Sequence, residues 1–201
     1  MQLIPQAEFI ARIQALGLTT EGAPSSLSFG RYEETDRFWL WPWPPPDLLG
    51  LLSAIFRHVV PDTFCEAWRP GGIWHEAEPS FIDSIRELLL GSLAIPAEHC
   101  GALRFERGEF RAVAALMIAF AMGGWCVDDD VCLIPDHARY VVRLSHHGVV
   151  HVECRAPALV GPLVAHMEAE GCPLPTEVPD PTFKIPSWMV SEPSSSPIGQ
   201  E

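Results

Sequence analysis

The clearest pattern of apolar and polar positions in the chain is a period of two residues between Tyr140 and Cys154, YVVRLSHHGVVHVEC. Alternation of this kind belongs to half-buried strands. Taking Tyr140 to Ser145 and Val149 to Cys154 as antiparallel partners leaves His146, His147 and Gly148 as the connection. Glycine then stands last in the loop, where such hairpins need a left-handed residue. This register pairs Leu144 with Val150, Val142 with Val152 and Tyr140 with Cys154 on one face. Arg143 meets His151 and Val141 meets Glu153 on the other. A shorter loop of His147 and Gly148 would set Leu144 against His151 and Val142 against Glu153, mixing the faces, so the first register is predicted. With Val131 to Ile134 upstream and a turn at Pro135 to Ala138, the pattern predicts a three-stranded meander whose polar face and hairpin tip lie open to solvent.

Elsewhere the period is helical. Phe9, Ile10, Ile13 and Leu16 mark one face of a helix within Pro5 to Leu16, stopped by Gly17. Pro46 and Asp47 open a second, Leu48 to Val59. A third starts near Glu78 and Pro79, with Phe81, Ile82, Ile85, Leu88 and Leu89 as its buried face, and ends at Gly91 and Ser92. Glu109 opens a fourth that is apolar nearly all round, through Val113, Leu116, Met117, Ile118, Phe120 and Met122. It must be covered on both sides and is predicted to pack beneath the meander. Pro157 opens a fifth through Leu159, Leu163, Val164 and Met167, which Gly171 ends. Short strands are predicted at Phe29 to Tyr32, Phe38 to Trp41, Thr63 to Trp68 and Ala102 to Phe105, with Arg69 to Gly72 as a turn.

This order of elements implies an α+β fold: a largely antiparallel sheet with a C-terminal three-stranded meander and helices packed mainly on one face. A parallel pair among the earlier strands is left open. One globular domain is expected over residues 1–172, followed by a Pro- and Ser-rich tail over 173–201, extended or disordered, in which Ile185, Trp188 and Met189 are placed to dock back on the domain.

Charge narrows the partners. The 201 residues carry 26 acidic side chains against 13 Lys and Arg, a net charge of −13, which repels a nucleic-acid backbone or an anionic membrane. Cys65, Cys100, Cys126, Cys132, Cys154 and Cys172 show no CxxC spacing. Several sit in apolar runs, and Glu8 and Arg12 interrupt any secretory leader, so free buried thiols in a reducing cytoplasm are expected. Ala112 to Met122 is too short to span a bilayer.

Candidate chemistry gathers on the meander: Asp128, Asp129, Asp130, His137, His146, His147, His151 and Glu153. Imidazole and carboxylate suffice for zinc, but no HExxH, HxH or paired-Cys spacing is present, and His151 faces Arg143, so no metal and no cofactor is expected. Cys154 falls on the apolar face, where a thiolate is disfavoured. Ser145 lacks a GxSxG elbow. Gly71 and Gly72 lack the spacing and lysine of a phosphate loop. Trp39, Trp41 and Trp43, set among prolines, read either as a stacking platform that lines a ligand pocket or as the cap of a core.

In composition and in the meander the chain resembles small, acidic α+β cytoplasmic proteins of bacteria that include immunity proteins to secreted toxins. That resemblance implies a non-enzymatic protein-binding domain whose acids, including Asp128 to Asp130 and the hairpin tip, dock a basic partner. Two other readings stand beside it. One is a small hydrolase or metal-dependent enzyme using the meander's His and Asp residues; the other is a ligand-binding or structural domain with a Trp-lined pocket.

Overall fold

The computed structural model describes residues 1–20, 27, 38–41, 48–59, 63–75, 83–123, 130–146 and 149–173, with main chain alone at 38–41 and 122–123. The expected strand at Phe29 to Tyr32, the expected helix start at Glu78 to Ile82 and residues 174–201 lie outside them. The strands are β1 (Gln2–Pro5), β2 (Phe38–Trp41), β3 (Cys65–Ile73), β4 (Cys100–Phe105), β5 (Val131–Pro135), β6 (Tyr140–Leu144) and β7 (Val150–Cys154). They form one seven-stranded sheet in the order β1-β4-β3-β5-β6-β7-β2. Every pairing is antiparallel. The helices are α1 (Gln6–Ala15), α2 (Leu48–Val59), α3 (Asp83–Ser92), α4 (Phe110–Gly123) and α5 (Val160–Ala169).

The hairpin register is the one read from the alternation: Tyr140 lies opposite Cys154, Val142 opposite Val152 and Leu144 opposite Val150. The Ser145 N–H donates to Val149 O at 2.9 Å and closes the loop over His146 to Gly148. The apolar side chains of this face join those of α2, α4 and α5, with Leu90 of α3, in the larger core. The apolar α4 lies under β5 and β6, as its all-round hydrophobicity requires.

The opposite face of the sheet is also covered, which the sequence reading did not anticipate. Phe9 and Ile13 of α1 pack with Ile4, Leu18, Leu27, Trp68, Ala102, Cys132, Ile134, Ala138 and Val141 in a second core. The Phe9 ring stacks on Trp68 at 5.6 Å between centroids. Burying a side chain of that size contributes about 1.5–3 kcal/mol. The expected open polar face of the meander is therefore corrected: Glu153 is 6% exposed, and Val141 is buried.

Two further corrections concern strands. β1 was missed because its four residues run directly into α1 and are too short to show a period. The expected turn at Arg69 to Gly72 is instead a bulged continuation of β3. Trp68 pairs with Ala102 and Ile73 with Cys100, so β3 spends more residues than β4 between those pairs. Gly71 and Gly72, both at φ +73°, absorb the excess. Trp68 Nε1 then donates to Gln6 Oε1 at 3.0 Å, and Trp74 Nε1 donates to Gly101 O at 2.9 Å.

Candidate functional site

The meander's polar residues do come together, but turned inward. Asp130 precedes β5 and is 3% exposed. Its Oδ1 accepts the backbone N–H of His146 at 2.8 Å and the Nδ1–H of the same residue at 2.7 Å. Arg143 Nε lies 3.7 Å from Oδ2, and Arg143 Nη2 is 3.3 Å from His151 Nδ1. The carboxylate thus holds the hairpin loop shut from beneath. His146 was expected at an exposed tip; its side chain is only 6% exposed. A partly buried backbone N–H such as that of His146 needs an acceptor, which Asp130 supplies. Replacing Asp130 by alanine is expected to cost about 1–3 kcal/mol and to speed exchange of the His146 amide, read by hydrogen exchange at neutral pH. Asp128, Asp129 and His147 lie outside the described residues. Trp39 and Trp41 pair with Val152 and Val150 along β7, while their side chains, and all of Trp43, lie outside them.

A second polar centre had no sequence signal. Glu66, fully buried on β3, stands opposite Arg104 of β4 and faces α1. Arg104 Nε and Nη2 donate to its Oε1 at 3.0 and 2.7 Å, and Arg12 of α1 reaches its Oε2. The Arg104 guanidinium also lies 4.4 Å over the Phe64 ring. Two guanidiniums on one carboxylate tie α1 to the sheet, a structural role rather than a reactive one. Only the long-range pairing of β3 with β4 and the placement of α1 bring the three together.

A third group joins residues far apart in sequence. His58 of α2 sits 3.1 Å from the Tyr140 hydroxyl, and its ring lies 5.0 Å from that of His166 on α5. His166 Nε2–H donates to Ala54 O at 2.9 Å. His137 Nε2–H donates to Val59 O at 2.9 Å, and its Nδ1 accepts the Arg139 N–H at 3.1 Å, so both nitrogens are satisfied in the neutral ring. Burial above all, then the Arg139 charge, holds the His137 pKa below 6.5. Burial also lowers that of His58, with His166 and Arg139 adding to it, and raises that of the Tyr140 phenol.

The outermost helix shows why a helical period can be read onto the wrong face. In α3 the inward residues are Asp83, Arg86 and Leu90, whereas Ile85 is 62% and Leu88 74% exposed. The expected burial of Ile85 and Leu88 is corrected. The cause is the C-terminal end of α4, whose last carbonyls lack partners within the helix. Arg86 supplies them: Nη2 donates to Phe120 O at 3.0 Å and Nε to Ala119 O at 3.4 Å, while Asp83 Oδ1 accepts from Nη1 at 3.0 Å. The Phe120 ring lies between Arg86 and Arg69, whose guanidiniums are 4.7 and 3.9 Å from its centroid.

Nucleophilic chemistry finds little support in the thiols. Burial, the largest cause for each, pushes Cys132 and Cys154 up to about 12. Cys65, also buried, is raised as well. Free buried thiols were expected, and Cys65, Cys132 and Cys154 are free and buried, whereas Cys100 is exposed and Cys172 partly so; Cys126 lies outside the described residues. Among the described residues no group of His, Cys, Asp and Glu is placed to hold a metal ion, and no helix is long and apolar enough to cross a membrane. A cavity of about 490 Å³ opens beside β1 and β4, lined by Met1, Gln2, Phe64, Arg104, Phe105, Glu106 and Glu109, without a tryptophan. No family model matches the chain, and no curated protein or solved structure matches it.

Proposed function

We propose that the chain is a non-catalytic protein-binding domain whose partner is basic, in the manner of an immunity-type protein that neutralises a basic toxin. The observation that carries this reading is the outer face of α3, where Ile85 and Leu88 stand one turn apart in solvent while a charged pair occupies the inner face. Two large aliphatic side chains on one exposed helical stripe are the anchors of a helix-mediated contact. Charge chooses the occupant. A second copy would bring −13 against −13, whereas a basic partner is attracted. Three cations are also engaged within the fold, Arg12 and Arg104 both on Glu66 and Arg86 on Asp83.

The test compares the full chain with the Ile85→Ser, Leu88→Ser double variant. Because both positions are exposed, the variant should keep its denaturation midpoint to within about 0.5 kcal/mol. In affinity purification from the native host, the parent chain should retain a basic protein that salt releases, and the variant should lose it. A retained partner that is acidic, or one held equally by both chains, would overturn the proposal.

A further inference from the structure

We propose that the seam between α2 and α5 is an acid-released latch, closed while His58 is neutral and opened when it carries a proton. The geometry is a ring pair. His58 near the end of α2 and His166 in α5 lie 5.0 Å apart with planes tilted by 37°, so a charge on His58 would sit in a partly buried contact between the two helices. Each ring is also fixed from its other side. His166 Nε2 donates to Ala54 O, so α5 is pinned to the α2 backbone. The Tyr140 hydroxyl lies 3.1 Å from His58 Nε2, within hydrogen-bond reach.

The surroundings decide the sign. From α2 come Arg57 and His58, from α5 His166, and from just past its end Glu170. The turn before β6 brings Asp136, His137 and Arg139, β6 brings Tyr140, and β7 brings Cys154 beside that phenol. Glu170 lies 3.9 Å from His166 Nε2 and is already engaged by Arg57. Asp136 accepts from the Thr63 hydroxyl and the His137 N–H. With His58 protonated, its charge joins those of Arg57 and Arg139 against these two acids. His58 keeps a lowered pKa in the closed seam, through burial first and then through His166 and Arg139. The open form therefore binds protons more readily. The closing free energy is fully present above the ordinary histidine value of 6.5 and declines as pH falls through it.

Hydrogen exchange of the full chain at pH 7.5 and 5.5, corrected for the intrinsic rate, provides the test. Amides of α5 should lose about tenfold in protection at the lower pH, while those of β5 keep theirs. The His58→Gln, His166→Gln double variant should show no such loss. Unchanged α5 protection in the parent chain, or an equal loss in the double variant, overturns the latch. Should that variant fail to fold, Arg139→Gln at an exposed site replaces it. Removing this charge brings the closed-seam affinity of His58 for protons nearer to the open one, so a smaller loss supports the latch and an undiminished loss overturns it.

Discussion

Replacing Glu66 by alanine is expected to lower stability by about 3–5 kcal/mol, the cost of leaving buried charges without their partner. Arg12 and Arg104 converge on this one carboxylate, and both are largely covered, with side chains 21% and 23% exposed. Arg12 Nε is already buried without a partner, so the site holds no spare acceptor among the described residues. The measurement is the midpoint of urea unfolding, with the slope checked so that the change is one of stability alone. A replacement by glutamine should recover part of the loss, because it keeps an acceptor oxygen between the two guanidiniums but not the charge. A loss below about 1 kcal/mol for alanine, the range of a surface ion pair, would show that the two arginines find water or another partner, and that Glu66 is not what ties α1 to the sheet.

Replacing Gly101 by alanine is expected to cost about 3 kcal/mol or more, through two effects with one origin. The residue sits at φ +149°, a conformation that side chains rarely adopt. An added Cβ would also stand 2.0 Å from Ile4 O and 2.7 Å from Gln6 N, both main-chain atoms that cannot swing aside. Those atoms belong to β1 and to the start of α1, so relief of the clash must move the edge strand away from β4. Thermal unfolding and protection of the β1 amides should both fall. Gly161→Ala in α5 is the control: nothing lies within 4 Å of its added Cβ, and a more helix-favouring residue there should not destabilise the chain.

Neither expectation could be formed from the alternation of residues. Glu66 reads as one more charged position in a short strand, and Gly101 as one more glycine. A buried carboxylate becomes recognisable only when β3 is paired with β4 and α1 is laid across them. The same holds for the acids and histidines on the meander. Pairing Arg143 with His151 and Val141 with Glu153 was legible in the register. That this face would be closed over, with Asp130 drawn under the loop to His146, was not, because the covering residues come from α1, Leu18, Leu27 and Ala138. Local alternation distinguishes two faces without saying whether the polar one meets water or a second layer.

What the sequence by itself determined is the set of local elements and the hairpin register. The bounds of α2, the strand at Phe38 to Trp41, the three strands of the meander and the pairing of Tyr140 with Cys154 all follow from spacing, prolines and glycines acting over a few residues. The α+β class with an antiparallel sheet follows from their order. Tertiary structure alone decided which way each face points. Period assigns Ile85 and Leu88 to one side of α3 and Arg86 to another, and it ranks the apolar side as inner. The ranking is reversed because Arg86 turns inward to donate to the carbonyls of Ala119 and Phe120 near the end of α4, and a buried unpaired carbonyl costs as much as an exposed leucine forgoes. That exchange leaves the proposed docking face in solvent.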